Sequence, residues 1–144
     1  MYHFGSCGEI RQDPNIVCKE RRSKFVVQNK NHKKILKVQV DHCLKIQGKK
    51  CDWLIIDIQN NNAYFVELKG CELKVAILQL GDSINLISVP ENGFIKREFS
   101  QKHAFAVLTR SPKDSAALRG IKMAFRKKYN TTLTIKNKEV AVQL

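Results

Sequence analysis

The sequence predicts an α/β fold in which a mixed central β-sheet is flanked by helices. Three observations carry that expectation. Two adjoining β-rich runs, CDWLIIDI and AYFVELKG, are almost continuously apolar, as strands are when both faces of their sheet are covered. A helical apolar period follows the second run directly. A further apolar run, HAFAVLT, comes after it. At 144 residues the chain has the size of one domain, and it contains no internal repeat, low-complexity tract or linker rich in Pro, Gly or Ser. It is therefore read as one unit over 1–144, with a core over about 36–109 and a basic helix and short strands over 110–144.

Residues 1–20 carry a Gly pair and a Pro without clear periodicity and are left unassigned. SKFVVQ and ILKVQV, around the polar NKNHKK, predict two short strands and hence an N-terminal β-hairpin. In the second of them Leu36, Val38 and Val40 alternate with Lys37 and Gln39, which suits a strand with one wet face. CDWLIIDI and AYFVELKG around QNNN predict the central hairpin. Leu73, Ala76, Ile77, Leu80, Ile84 and Ile87 recur at three- and four-residue steps, which predicts a helix over Glu72 to Ile87. His103 to Thr109 predicts a buried strand. Ser111 as N-cap, Pro112 as first helical residue and Asp114 in the first turn then predict a second helix. Its apolar side carries Ala117, Leu118, Ile121, Ala124 and Phe125, and its other face Lys113, Arg119, Lys122, Arg126 and Lys127. TLTIKNKEVAV predicts a last edge hairpin around Lys136 to Lys138.

Charge narrows the partner. Against 13 Asp plus Glu stand 26 Lys plus Arg, a formal net charge of +13, clustered at Lys19 to Lys24, Lys30 to Lys37, Lys45 to Lys50 and Lys113 to Lys128. Such an excess captures polyanions, so nucleic acid is the expected partner. The five cysteines (Cys7, Cys18, Cys43, Cys51, Cys71) form an odd set without a CxxC pair. Neither a disulfide framework nor, with His3, His32, His42 and His103, a zinc site is expected. MYHFGSCGEI lacks a charged region followed by an apolar stretch, and no run approaches the roughly 20 apolar residues of a membrane span. A cytoplasmic protein without a membrane partner is the expectation.

The chemistry concentrates at Asp52, Glu67 and Lys69. Side chains two apart on a strand share a face, which predicts that Glu67 and Lys69 point the same way. A two-residue turn at Asn60 and Asn61 would pair Gln59 with Asn62, put Asp52 opposite Lys69 and make Glu67 its diagonal neighbour. Two carboxylates so placed, with the Leu68 carbonyl, suit a hard cation such as Mg²⁺, for which Mn²⁺ can substitute. A bound ion of this kind activates water and neutralises phosphate. Lys69 would orient or deprotonate that water, or stabilise the growing charge. Trp53 is read as core packing, and His42 and His103 as ordinary polar residues.

KKCDWLIID, fourteen residues between the Asp and the Glu, VELKG, and a helix containing Gln79 together resemble the PD-(D/E)xK nuclease superfamily. This is the fold of many restriction endonucleases and of archaeal Holliday-junction resolvases. The resemblance covers Leu36 to about Thr109. It implies a restriction-endonuclease-like αβββαβ core, Asp52 and Glu67 as metal ligands, Lys69 serving the water, and Gln79 near the site. It further implies a Mg²⁺-dependent endonuclease that hydrolyses phosphodiester bonds, in DNA first of all. Two departures stand out. Cys51 occupies the place of Pro, and no N-terminal helix is written to supply a further glutamate, for which Glu20 is the nearest candidate and Glu9 and Asp41 are others. Lys49, Lys50, Arg119, Lys122 and Arg126 are the expected contacts to the nucleic-acid backbone. A non-catalytic nucleic-acid-binding module on the same fold is the alternative, and a structural ribonucleoprotein component a third class. Enzymes that cut both strands often pair about a two-fold axis, so a homodimer is a candidate assembly.

Overall fold

The computed structural model describes residues 1–70, 72–110 and 116–144, with residues 69 and 70 through their strand backbone alone. A 3₁₀ turn (Gly5–Cys7) leads into β1 (Gly8–Arg11), β2 (Asn15–Glu20), β3 (Ser23–Gln28), β4 (Ile35–Gln39), β5 (Trp53–Asp57) and β6 (Asn62–Gly70). Then come α1 (Leu73–Ile87), a second 3₁₀ turn (Pro90–Asn92), β7 (Gln101–Leu108), α2 (Ala116–Tyr129), β8 (Thr132–Asn137) and β9 (Glu139–Gln143). The central hairpin and α1 fall where the apolar periods predict them. The Ser111, Pro112 and Asp114 cap and Lys113 lie outside the described residues.

Six strands form one mixed sheet in the order β1-β4-β5-β6-β7-β8. Pairing is antiparallel from β1 to β6 and parallel among β6, β7 and β8. The parallel step from β6 to β7 needs a crossover, which α1 supplies. A second sheet has the order β2-β3-β9.

Strand parity divides the core in two. Leu36, Val38, Leu54, Ile56, Ala63, Phe65, Ala104 and Ala106 face α1 and α2, against Ala76, Leu80, Ile84, Leu118 and Phe125. Ile35, Ile55, Val66, Leu68, Phe105 and Val107 face the small sheet, against Ile16, Cys18, Phe25 and Val27. The layers are therefore helices, large sheet and small sheet. Each large side chain buried this way contributes about 1.5–3 kcal/mol, so the cover on the second face is a substantial part of the fold. At the helix crossing Gly81 is required by space, because a Cβ there would fall on the Tyr129 hydroxyl.

Four expectations are corrected. The sheet is not flanked by helices on both faces. Continuous apolarity in β5 requires two covers, but β2 and β3 alternate with period two and so supply the second cover as a sheet. The predicted hairpin of β3 with β4 does not form; β3 pairs with β2 across a turn at Arg21 and Arg22, while β4 lies between β1 and β5. The C-terminal strands make no hairpin either. β8 joins β7, β9 joins β3, and Lys138, at φ 64°, turns the chain from one sheet to the other. Finally, Cys7 and Cys43 form a disulfide across 36 residues, with Cα atoms 5.7 Å apart. Pairing of β1 with β4 brings Cys7 beside the turn that follows β4, a proximity no local spacing announces. Among the described residues no helix is long and apolar enough to cross a membrane.

Candidate active site

β4, β6, β7 and β8 run the same way, so their carboxyl ends, together with the start of β5, share one end of the sheet. Asp52 enters β5 there and is tied on every side. Its N–H donates to the Val66 carbonyl (3.0 Å), its carbonyl accepts from the Val40 N–H (3.0 Å), and its Oδ2 accepts from the Leu68 N–H (2.8 Å). The preceding Cys51 N–H donates to Ser83 Oγ on α1 (2.8 Å). The carboxylate thus takes an N–H that a continued ladder would give to a main-chain carbonyl. Asp52 is 3% exposed and Glu67 is fully buried. Glu67 shares parity with Ala63 and Phe65 and so belongs to the helix-bearing face, whereas alternation does not carry from β5 to Asp52: its N–H bonds to Val66, which pairs with Trp53, and Cys51 before it joins the helix-side core.

The register of the central hairpin differs from the expected one. The turn spans Ile58 to Asn61, with Asp57 paired to Asn62 rather than Gln59 to Asn62. Asn60 Nδ2 donates to Asp57 Oδ2 (3.0 Å), and Asn61 adopts φ 54° while accepting from the Tyr2 hydroxyl (2.7 Å) and donating to the Glu98 carbonyl (2.9 Å). These bonds favour four turn residues. The pairing slides by two, so a ladder extended by one would set Glu67 rather than Lys69 opposite Asp52; the Asp52 N–H instead bonds to Val66, one position out of that register. A second correction concerns the bulge in β6. Glu67 pairs with Ala106 and Gly70 with Leu108, so three steps on β6 match two on β7. Simple alternation therefore does not carry from Glu67 to Lys69 through this segment. The Lys69 side chain lies outside the described residues.

Gln79 is half-buried on α1, one turn before Ser83 and so on the helix side that meets Cys51. Glu20 ends β2 in the small sheet, a layer away from the acidic pair. Glu9 is ion-paired with Arg11 (3.0 Å), and Asp41 lies 3.4 Å from His42 Nε2. Among the described residues no three His, Cys, Asp or Glu converge on a common point. Burial pushes the Cys51 thiol up to about 12, and the Glu67 and Asp52 charges add to the rise against the Ser83 hydrogen bond. Cys51 is thus a protonated thiol beside the carboxylates and no thiolate nucleophile.

The expected backbone contacts scatter. Lys49 is exposed, and Lys50 Nζ donates to the Leu44 carbonyl (3.2 Å). Arg119 and Arg126 are exposed on α2 and Lys122 is half-buried there, with Arg126 bonded to Thr132 Oγ1. Trp53 is half-buried with Lys37 Nζ 4.7 Å over its ring. Sequence reasoning missed a cleft of about 780 Å³ lined by Arg22, Thr109, Arg110, Asn137 and Lys138. Arg22 and Lys138 lie 116 positions apart, and no spacing signal joins them. Comparison with known protein families, curated proteins and solved structures gave no match.

Proposed function

We propose that the chain is a metal-dependent endonuclease of the PD-(D/E)xK kind, acting on DNA, with Asp52 and Glu67 as metal ligands and Lys69 serving the attacking water. One observation carries the reading: the Asp52 carboxylate is bonded to the N–H of Leu68, the residue that follows the fully buried Glu67. The succession β4, β5, β6, α1, β7 supports it as well, since it follows the βββαβ part of the expected core. The leading helix of that core has no counterpart among the described residues.

The donors suit the metal. Two carboxylates and the Leu68 carbonyl are hard oxygen ligands, few enough for Mg²⁺, which keeps waters and substrate phosphate in its remaining positions. When bound, Mg²⁺ or Mn²⁺ supplies a more acidic water and neutralises charge on the scissile phosphate. The protein holds Asp52 in one rotamer through the Leu68 N–H, presents Glu67 from the facing strand and shields both from bulk water, which strengthens their pull on a cation. Lys69 holds or deprotonates the water, or meets the charge that grows on the phosphate.

The same burial favours a second reading, a nucleic-acid-binding module in which Asp52 merely completes the strand edge. Metal separates the two. Purified protein is incubated with supercoiled, linear, branched and single-stranded DNA and with RNA, in Mg²⁺ or Mn²⁺ and in EDTA. Cutting is expected with metal alone, and Asp52→Asn, Glu67→Gln and Lys69→Met are each expected to lower it by about 100-fold or more while keeping the wild-type circular dichroism. Undiminished cutting in the Asp52 and Glu67 variants rejects the site, and binding without cutting in any metal selects the module.

A further inference from the structure

We propose that the cleft between the tip of the small sheet and the carboxyl ends of β7 and β8 holds the sugar–phosphate backbone of the nucleic acid. This rests on the nucleic-acid part of the reading above but not on cleavage. Three cations reach the cleft from three separate segments: Arg22 from the β2–β3 turn, Arg110 from the end of β7, and Lys138 from the turn between β8 and β9. Thr109 and Asn137 join them, and among the described residues no aliphatic or aromatic residue lines the cleft. Among the described residues no carboxylate pairs with any of the three cations; the nearby Glu139 is 3.8 Å from Lys24. Three cations that no described carboxylate pairs, gathered at one cleft, repel each other unless an anion joins them. Two are guanidinium groups, whose fork matches phosphate oxygens.

The cleft is built on main chain rather than on loose side chains. The Lys138 N–H donates to the Leu108 carbonyl (2.8 Å) and its carbonyl accepts from the Lys24 N–H (2.8 Å), which joins the two sheets at this point. Lys138 and Arg21 both hold positive φ, 64° and 50°. Glycine or asparagine occupies such turns at less cost, about 1 kcal/mol per residue, yet both positions carry long basic side chains. The cleft also stands at the same end of the sheet as Asp52 and Glu67. From the strand rise and spacing, the Thr109 and Asn137 backbone lies roughly 11 Å from that of Glu67, a few nucleotide steps along one strand. A single phosphate does not need about 780 Å³, whereas a chain that enters and leaves does. On α2, by contrast, Arg126 is engaged by Thr132 and Met123 is 73% exposed among the cations.

Fluorescence anisotropy of labelled single-stranded and duplex DNA in EDTA tests this without cutting. Arg22→Ala with Arg110→Ala is expected to weaken binding about tenfold or more and to reduce the slope of log affinity against log salt by about 2. Lys138→Asn, which tolerates the positive φ, is expected to reduce the slope by about 1. Wild-type affinity in the double variant overturns the proposal, as does transfer of the loss to Arg119→Ala with Lys122→Ala. Equal binding of poly-glutamate, or no nucleic-acid binding by the unaltered protein, overturns it too. Weakened binding in a protein that cuts nothing sustains the cleft and rejects only the nuclease, while cutting with an unaltered double variant does the reverse.

Discussion

The two ends of the parallel strands β6, β7 and β8 are both concave and both cationic, yet they are equipped for different work. At the carboxyl end, Arg22, Arg110 and Lys138 line a cleft beside two buried carboxylates, Asp52 and Glu67. At the amino end, Lys102, His103 and Arg126 line a smaller hollow of about 300 Å³ with Ser100, Asn130 and Thr132. Basic charge alone does not distinguish the ends, and each also holds buried carboxylate: Asp52 and Glu67 at the carboxyl end, and Asp57, 3.5 Å from Lys33 Nζ, at the amino end. The ends are also fastened differently. The Cys7–Cys43 disulfide closes the turn after β4, whose Val40 bonds Asp52, whereas at the amino end the Asn61 side chain gathers Tyr2 and the Glu98 carbonyl.

The sharpest way to break the comparison is catalytic. Glu67→Gln is expected to lower metal-dependent cutting by about 100-fold or more, while Lys102→Met and His103→Gln change it by no more than about threefold, as the same gel assay reads. A large loss from the amino end would reverse the assignment. Reduction of the disulfide comes next. Opening a loop of 36 residues is expected to cost about 3–4 kcal/mol, measured by urea melts with and without dithiothreitol or with Cys7→Ser and Cys43→Ser together. Cys18 and Cys51 are buried, so neither is expected to react with thiol reagents before the protein unfolds.

At the other end Asn61→Ala is expected to cost about 2–3 kcal/mol, because it removes two side-chain hydrogen bonds and puts a Cβ-bearing residue without them at positive φ. Asn61→Gly is expected to recover about 0.5–1 kcal/mol of that, and equal melts for the two variants would show that φ does not matter there. The smallest effect is that of His103. Burial, and then the Arg126 charge, hold its pKa below the ordinary value of 6.5. The unfolded chain therefore takes the proton first, so stability falls as pH drops through 6.5 towards the lower folded value and is flat above it. His103→Gln is expected to remove that part of the Tm–pH slope below 6.5.

Legibility followed range. The apolar runs of β5 and β6 and the three- and four-residue period of α1 are local, and both mark their elements correctly, because burial on two faces or on one stripe is written into consecutive residues. Asp52 and Glu67 stood out for the same reason, as charges within an apolar hairpin. The pairing of β3 escaped because an alternating strand states which face it buries and not against which sheet. The turn at Ile58 to Asn61 escaped because Asn61 is held by Tyr2 and by the chain before β7, neither of them nearby in sequence.

What the amino-acid order alone determined is the central apolar hairpin, the helix after it and the acidic residues set within them, since each is written in consecutive residues. The tertiary structure decided the rest: which strands cover the second face, which cysteines meet, and which basic residues surround the cleft. Arg22, Arg110 and Lys138 become neighbours only because parallel strands end together and the last turn links the two sheets. Such proximity is set by long-range packing, which no local pattern of residues contains.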